Sequence, residues 1–491
     1  MDKISDATPT TGPPLATTVF NPYAHHILIT MRTRKSGILV RIFLLAVAAA
    51  VHGQLSGPVG PSTPLSQKTH ICNILDYGAA TNTSDIGPAI LSAFTDCVKQ
   101  TPGSTLYVPP GTYNMSTWVK LENASNWAFQ IDGVITRTGT DRGHMFWITA
   151  TDFEMYSSNQ AGAIHGAGIY WSSQGLHKYG PRILRLVHVA NFSLHDLMFI
   201  DSPSFHVILD NVKNGLLYNL LVRGHDEGGL DGIDITCQNC HVTNVEVTNR
   251  DECVCVKNPS SNLLIENIFC NQAGGMSLGS FANDTAVSQV HMRNIYSYYS
   301  THFLLIKTFP NGTGYVKDCL FENFTGYTSA YALSVNQYWL NTFTTNDTSG
   351  VQLSNLTFKN WHGQTDDANK RPPAWFSCSH TNPCVGMKVS NFSFWDLTHN
   401  QTGSYCASAY GRGAKCLRKF NGTATDTAPP YENVTTLTST MPKGWAPPVI
   451  SPNVLTRGFG LNESIPIPTL PFPPVDIGTN GSTPRPIPIA E

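Results

Sequence analysis

Residues 217–268 read LYNLLVRGHDEGGLDGIDITCQNCHVTNVEVTNRDECVCVKNPSSNLLIENI. Within this stretch a short apolar run with an Asn inside it recurs: Leu217-Tyr218-Asn219-Leu220, Val242-Thr243-Asn244-Val245, Ile265-Glu266-Asn267-Ile268. The pattern continues outward as Leu194-His195-Asp196-Leu197 on one side and as Met292-Arg293-Asn294-Ile295 and Phe321-Glu322-Asn323-Phe324 on the other. The markers fall at positions 196, 219, 244, 267, 294 and 323, at intervals that widen along the chain from the low to the high twenties. Asn360 before Trp361, and Asp396 in Phe394-Trp395-Asp396-Leu397, extend the series. A drifting period in the twenties, with β-rich runs and no helices between, describes coils that cannot bury their apolar side chains alone and therefore stack. The chain reads as all-β, a single-domain right-handed parallel β-helix, with the Asn markers at tight bends and bonded along the stack. A β-propeller needs blades of about 40 residues and hairpin turns, and neither is present.

The same stretch concentrates acids. Asp231 and Asp234 lie within Gly-Leu-Asp-Gly-Ile-Asp, and the adjacent pair Asp251-Glu252 follows close to one such interval later. Asp210 precedes Asp231 by nearly the same interval, at the end of the apolar run Phe205–Leu209. In a coiled fold such an interval returns the chain to one face. Two carboxylates on one face are what glycosidic-bond hydrolysis requires, one protonating the leaving oxygen and one activating water. Taken singly, an Asp at a strand end is more simply a turn residue; the set, flanked by Gly228, Gly229 and Gly232, favours the chemical reading.

The chain has 491 residues, with 13% charged and a net charge of -2. So neutral a balance gives no electrostatic case for nucleic acid or an anionic membrane. Arg32, Arg34, Lys35 and Arg41 precede an apolar run from Ile42 to Val51, which reads as a signal peptide over 31–53, cleaved before Gln54. Residues 1–30 form a doubtful extension, with Met31 as a candidate initiator; a signal anchor with a short tail is the alternative. Sequons recur from Asn82 to Asn480, and 12 cysteines are present. These features together indicate a secreted, glycosylated protein. Residues 54–70 are expected to be a flexible lead-in and 74–78 a strand. Ser84-Asp85 should cap one amphipathic helix, a plug over the open core end. Residues 54–428 form the catalytic domain and 429–491 a Pro/Thr-rich tail. Spacing suggests the disulfides Cys72–Cys97, Cys253–Cys270, Cys378–Cys384 and Cys406–Cys416, with Cys237-X-X-Cys240 as a fifth candidate and Cys255 and Cys319 as core thiols. A zinc reading of Cys237-X-X-Cys240 lacks a second pair at finger spacing.

The chain resembles the pectin-degrading glycoside hydrolase family 28, and within it the fungal rhamnogalacturonan hydrolases. The resemblance rests on Gln54-Leu55-Ser56-Gly57, Cys72-Asn73-Ile74-Leu75, Arg223-Gly224, the Gly-Leu-Asp-Gly-Ile-Asp run, Asp251-Glu252-Cys253, 274–280, Ile306-Lys307, Arg371-Pro372-Pro373 and 464–468, nearly all of 54–470. It implies hydrolysis with inversion, without metal or cofactor, by a monomer acting on a pectic polysaccharide. Asp251 would be the general acid; Asp231 and Glu252 would activate water. Asp210, Asp234, Lys307, Arg223 and Tyr327 would line the substrate cleft. Inverting pairs stand about 6.5–9.5 Å apart. Polygalacturonases carry Asn-Thr-Asp, Asp-Asp, Gly-His-Gly and Arg-Ile-Lys where this chain has Gly229-Leu230-Asp231, Asp251-Glu252, Ala273-Gly274-Gly275 and Leu305-Ile306-Lys307. With Leu305 in place of an arginine, the natural bidentate partner of a galacturonate carboxylate is missing. An alternating galacturonate-rhamnose backbone is the better expected substrate, with Lys307 left to hold one carboxylate. Tyr327 stands where the rhamnogalacturonases tend to have a His. The competing readings are a galacturonan hydrolase of altered specificity, a silent polysaccharide-binding β-helix, and a calcium-dependent lyase on the same fold.

Overall fold

The computed structural model describes residues 55–139, 143–176, 180–340, 349–366, 372–396, 404–421, 432–434, 443–444 and 464–473. The expected leader and the sequon at Asn480 lie outside the described residues. The protein is a parallel β-helix. Strand Val207–Arg223 pairs in parallel with Ile233–Thr248, that strand with Ser260–Asn271, and the series continues through Thr285–Tyr298, Gly314–Ser329, Gln352–Thr365 and Cys384–Asp396. Among the described residues only the last pairing, Ser404–Ala407 with Glu432–Val434, is antiparallel.

Each coil turns at a residue in the left-handed region. Asp196, Asn219, Asn244, Asn267, Asn294 and Asn323 all have φ between +51° and +57°. An L-residue with a bulky side chain resists this conformation by about 1–2 kcal/mol, and Asn and Asp tolerate it best. Their side chains bond along the stack. Asn219 donates to Asp196 at 2.9 Å, Asn244 to Asn219 at 3.2 Å, Asn294 to Asn267 at 3.2 Å and Asn323 to Asn294 at 3.1 Å. The ladder breaks once, where Asn267 donates to Thr243 instead. Asn360 continues it after a longer step from Asn323. The next corner is Asn391, not Asp396: Asn391 has φ +48° and bonds Asn360, whereas Asp396 ends its strand opposite Thr365. A second ladder runs through Asn191, Asn214 and Asn239 at the neighbouring corner.

Inside, equivalent positions stack into apolar columns. One runs Leu194, Leu217, Val242, Ile265, Met292, Phe321, Phe358. The next includes Phe324 and Trp361, whose rings lie 4.1 Å apart at the centroids, and continues to Phe392. Burying such a column removes each side chain from water at about 25 cal/mol per Å².

Helix Gly87–Asp96 closes the N-terminal end with Ile90, Ala93 and Phe94 inward. Asp85 accepts from the Gly87 amide at 2.9 Å, while Ser84 makes no cap. A second, short helix, Gly168–Ser173, has no signal in the sequence pattern. Residues 74–77 form a 3-10 turn and not a strand, because Asn73 accepts from the Leu75 amide and Gly78 stops the chain at φ +90°. The lead-in is docked: the Ser56 amide donates to Asn239 and that side chain donates to the Pro58 carbonyl. All five disulfides form, Cys237–Cys240 included, and Cys255 and Cys319 are buried free thiols. From the tail, Ile465, Leu470 and Phe472 pack on Met198, Ile200 and Leu221. No described helix is long and apolar enough to cross a membrane.

Candidate active site

One sheet of the coil carries the acids. Its strands include Arg182–Val187, 207–209, Ile233–Thr248, Glu252–Val256, Gly275–Phe281, His302–Thr308, Tyr331–Asn336 and Ala374–Ser377. Ile233 pairs with Val254, so two residues earlier Asp231 faces Glu252 on the adjacent rung. The step from Asp231 to Glu252 is therefore one true coil. The same step does not connect Asp210 to Asp231. Val207 pairs with Ile233, a longer coil, and Leu209 with Ile235, which sets Asp210 level with Thr236. The matching interval from Asp210 was coincidental, because the loop Gly224–Leu230 lengthens that coil.

Asp231, Asp251 and Glu252 each offer a carboxylate oxygen within 4.8 Å of the others. Backbone geometry holds them. Gly229, at φ +83°, donates its amide to Asp251, whose other oxygen accepts from the Glu252 amide at 2.9 Å. The Asn249 amide group donates to the carbonyls of Leu230 and Glu252 at 2.6 and 3.1 Å, clamping the two acid-bearing segments. Gly274 packs where a Cβ would meet the Asp251 backbone at 2.9 Å.

Burial first, and then the charge of Asp251, push Asp231 up to about 6, with Lys257 and Lys307 partly offsetting them. Burial and Asp231 push Asp234 further, to about 8, so it holds a proton at neutral pH. Lys257, absent from the sequence reading, stands 3.7 Å from Asp231 and 3.4 Å from Asp234. Burial opposes its charge, but Cys255, Asp234 and Asp231 more than offset that and raise its pKa. Lys307 donates to Glu252 and lies 4.8 Å over the Trp339 ring. Its expected partner, a sugar carboxylate, would share the ammonium with Glu252.

The other expected site residues separate. Asp210 pairs with Arg185 and accepts from Asn211 at 2.9 Å. Arg223 is 3% exposed, with its Nε 3.6 Å from Glu246, below the cleft surface. Tyr327 stacks on Tyr298 at 5.4 Å and meets Tyr299 edge-on. These rings stand at the corner that carries Asn249–Asp251, two and three rungs along the register Thr248, Asn271, Tyr298, Tyr327. His206 is a core residue: fully buried and pushed down to about 4 by burial, its Nδ1 facing the Asp231 carbonyl at 3.1 Å. His302, by contrast, is half-buried and stacks on Tyr331 at 4.9 Å. Trp375 meets Tyr331 edge-on at 6.0 Å but belongs to the register row of Leu305 and Ser334, which continues to Tyr405, 5.3 Å from Trp375. His225 bridges Asp201 and Glu227, and Ser172 also donates to Glu227, holding the loop before Asp231.

The arrangement supplies a partly exposed acid, a second carboxylate raised to about 6 and a third held by an ammonium. The sequence profile of glycosyl hydrolases family 28 matches residues 97–410. Rhamnogalacturonase A of Aspergillus aculeatus is 43% identical over 437 residues, covering 88% of this chain and 96% of that protein. Rhamnogalacturonase B of Aspergillus niger is 44% identical over 441 residues, covering 89% and 76%. Among solved structures, the endo-xylogalacturonan hydrolase from Aspergillus tubingensis matches at a TM-score of 0.64 and 22% identity, over 71% of this chain and 100% of that one, a likeness of fold. With its coil, its converging acids and these matches, the chain belongs to glycosyl hydrolase family 28.

Proposed function

We propose that the protein is a secreted hydrolase of the alternating galacturonate-rhamnose backbone of rhamnogalacturonan, acting within the chain and with inversion. The observation that carries this is the convergence of Asp231, Asp251 and Glu252 within 4.8 Å beside Leu305, where a guanidinium for a plain galacturonan would stand. In this mechanism Asp251 protonates the leaving oxygen. Asp231 and Glu252 hold the attacking water; Asp231 works as the base once pH exceeds its pKa of about 6. Asp234, protonated and hydrogen-bonded to Asp231, orients that carboxylate. Partly exposed side chains continue on both sides of the acids, Arg185 and Trp147 on one and His302, Tyr331 and Trp375 on the other, which supports action within a polymer. Likeness to the rhamnogalacturonases supports the substrate and an extracellular setting, with pectin of the cell wall as the partner.

Retention through a glycosyl-enzyme is the stereochemical alternative. Product analysis separates the readings. De-esterified polygalacturonate and deacetylated rhamnogalacturonan backbone are digested, and NMR follows the new reducing ends. Inverted galacturonate ends from the second polymer alone are expected. Retained ends would replace inversion by double displacement; cleavage of polygalacturonate would remove the meaning given to Leu305; cleavage of neither would leave a binding protein.

A further inference from the structure

The sequence alone points to a missing cation at Leu305, on the C-terminal side of the acids. The structure places cations on the other side. Lys120, Trp147 and Arg185 are register neighbours. The row runs on through Ile208 and Asp234. Leu184 and Ile233 both pair with Val207, so Arg182 lies in the row of Phe205 and Asp231, two rungs below the acid. At the spacing of paired strands this is about 10 Å, within reach of an arginine side chain and one sugar ring.

The two arginines differ. Arg185 is neutralised by Asp210 and lies 4.8 Å over the Trp147 ring. Arg182 has no carboxylate partner among the described residues. Its guanidinium lies 5.0 Å over Phe205, its Nε is buried without a hydrogen-bond partner, and the acids whose charge reaches it are Asp234 and Asp231. The local field is positive enough that His144, already disfavoured as a cation by burial, is pushed down to about 4 with help from Arg182, Arg185 and Lys120. Beyond the acids the row changes character, running through Leu305 and Ser334 to Trp375, with the stacked His302 and Tyr331 at the start of the same strands and Tyr331 edge-on to Trp375. The described cation there, Lys307, is bound to Glu252.

We propose that Arg182, held flat by Phe205, binds the carboxylate of the uronate ring on the N-terminal side of the scissile bond, while the Leu305, His302 and Tyr331 side takes a neutral, methyl-bearing ring. A planar guanidinium matches a carboxylate through two parallel N–H donors, and an apolar and aromatic surface suits a deoxy sugar. The cleft would then read the alternation of the backbone from its two ends. This proposal rests on the functional reading above.

The test compares Arg182→Gln with the parent on rhamnogalacturonan backbone and on the same polymer with its carboxyl groups reduced to alcohols. The parent should lose about 10- to 100-fold in kcat/KM on reduction, the scale of one charge-assisted contact. Arg182→Gln should lose a similar factor on the native polymer and show almost no further loss on the reduced one, and Arg182→Lys should recover part of it. Binding of both polymers by isothermal titration in the Asp251→Asn background carries the same comparison without turnover. A variant that still discriminates as the parent does, while its melting temperature matches, overturns the assignment. A parent that neither binds nor cleaves rhamnogalacturonan but cleaves polygalacturonate overturns the functional reading instead, and Arg182 is then tested by the same reduction of that polymer.

Discussion

Lys257 offers the sharpest test of how the acids are tuned. Its ammonium lies 3.7 Å from Asp231 and 3.4 Å from Asp234. Because Asp234 is raised to about 8 and Asp231 only to about 6, near pH 7 the lysine serves a single charge, that of Asp231. Two unit charges about 4 Å apart interact by about 4 kcal/mol at an effective dielectric near 20. At about 1.4 kcal/mol per pH unit this sets an upper bound of about 3 units. Lys257→Met removes the stabilisation of the ionised form, so the proton is held more tightly. The acid limb of kcat/KM, set by ionisation of Asp231, should move up by about 1–3 pH units. The assay is release of reducing ends from rhamnogalacturonan backbone between about pH 3 and 9, with Lys257→Arg as the charge-retaining control. A limb within about 0.3 unit of the parent, with only the plateau lowered, would refute the argument and leave Lys257 as a structural or substrate contact.

Two further outcomes follow from the same geometry. Asn219→Ala puts alanine at φ +51° and orphans partners on Asp196, Asn244 and the Pro473 carbonyl; calorimetry should show a loss of about 2–5 kcal/mol, and an unchanged midpoint would deny the ladder any share in stability. Asp234→Asn removes a carboxyl whose folded pKa, about 8, lies above its ordinary 3.8. The parent loses stability as pH rises across that window, because the unfolded chain releases the proton first. The variant's advantage in melting temperature should therefore grow from pH 4 to 8 and be flat above, and an advantage independent of pH would contradict the burial of that group.

The coil was legible because its corners need a left-handed residue and the chain supplies Asn or Asp at nearly every one. Asp396 misled because the apolar run around it resembles a corner, while Asn391 lies a little earlier within an equally apolar strand. The acids were legible as a set, since Asp231 and Glu252 are one coil apart. Asp210 was placed by the same interval and falls off the row, because coil length changes between those rungs. Lys257, Arg182 and Phe205 carried no signal: nothing in a strand marks which rung a cation will stack on until the register is known. That register is not constant, since the step from Ile233 to Val254 is much shorter than the step from His302 to Tyr331. The coil from Val207 to Ile233 takes up the Gly224–Leu230 loop and so displaces Asp210, an offset visible only once the strands are paired; His225 holds that loop through Asp201 and Glu227.

The central claim is that Asp251 is the proton donor of a glycoside hydrolase whose cleft is otherwise complete. Asp251→Asn keeps the size of the side chain and an acceptor for the Gly229 amide, and removes the proton. Turnover of rhamnogalacturonan backbone by the variant should fall by about 10²- to 10⁴-fold, while its affinity for the polymer, read by isothermal titration, stays within about threefold of the parent's. Turnover that survives the substitution would contradict the assignment of the acid, and a parallel loss of binding would show that Asp251 holds substrate and leave the chemistry to another group.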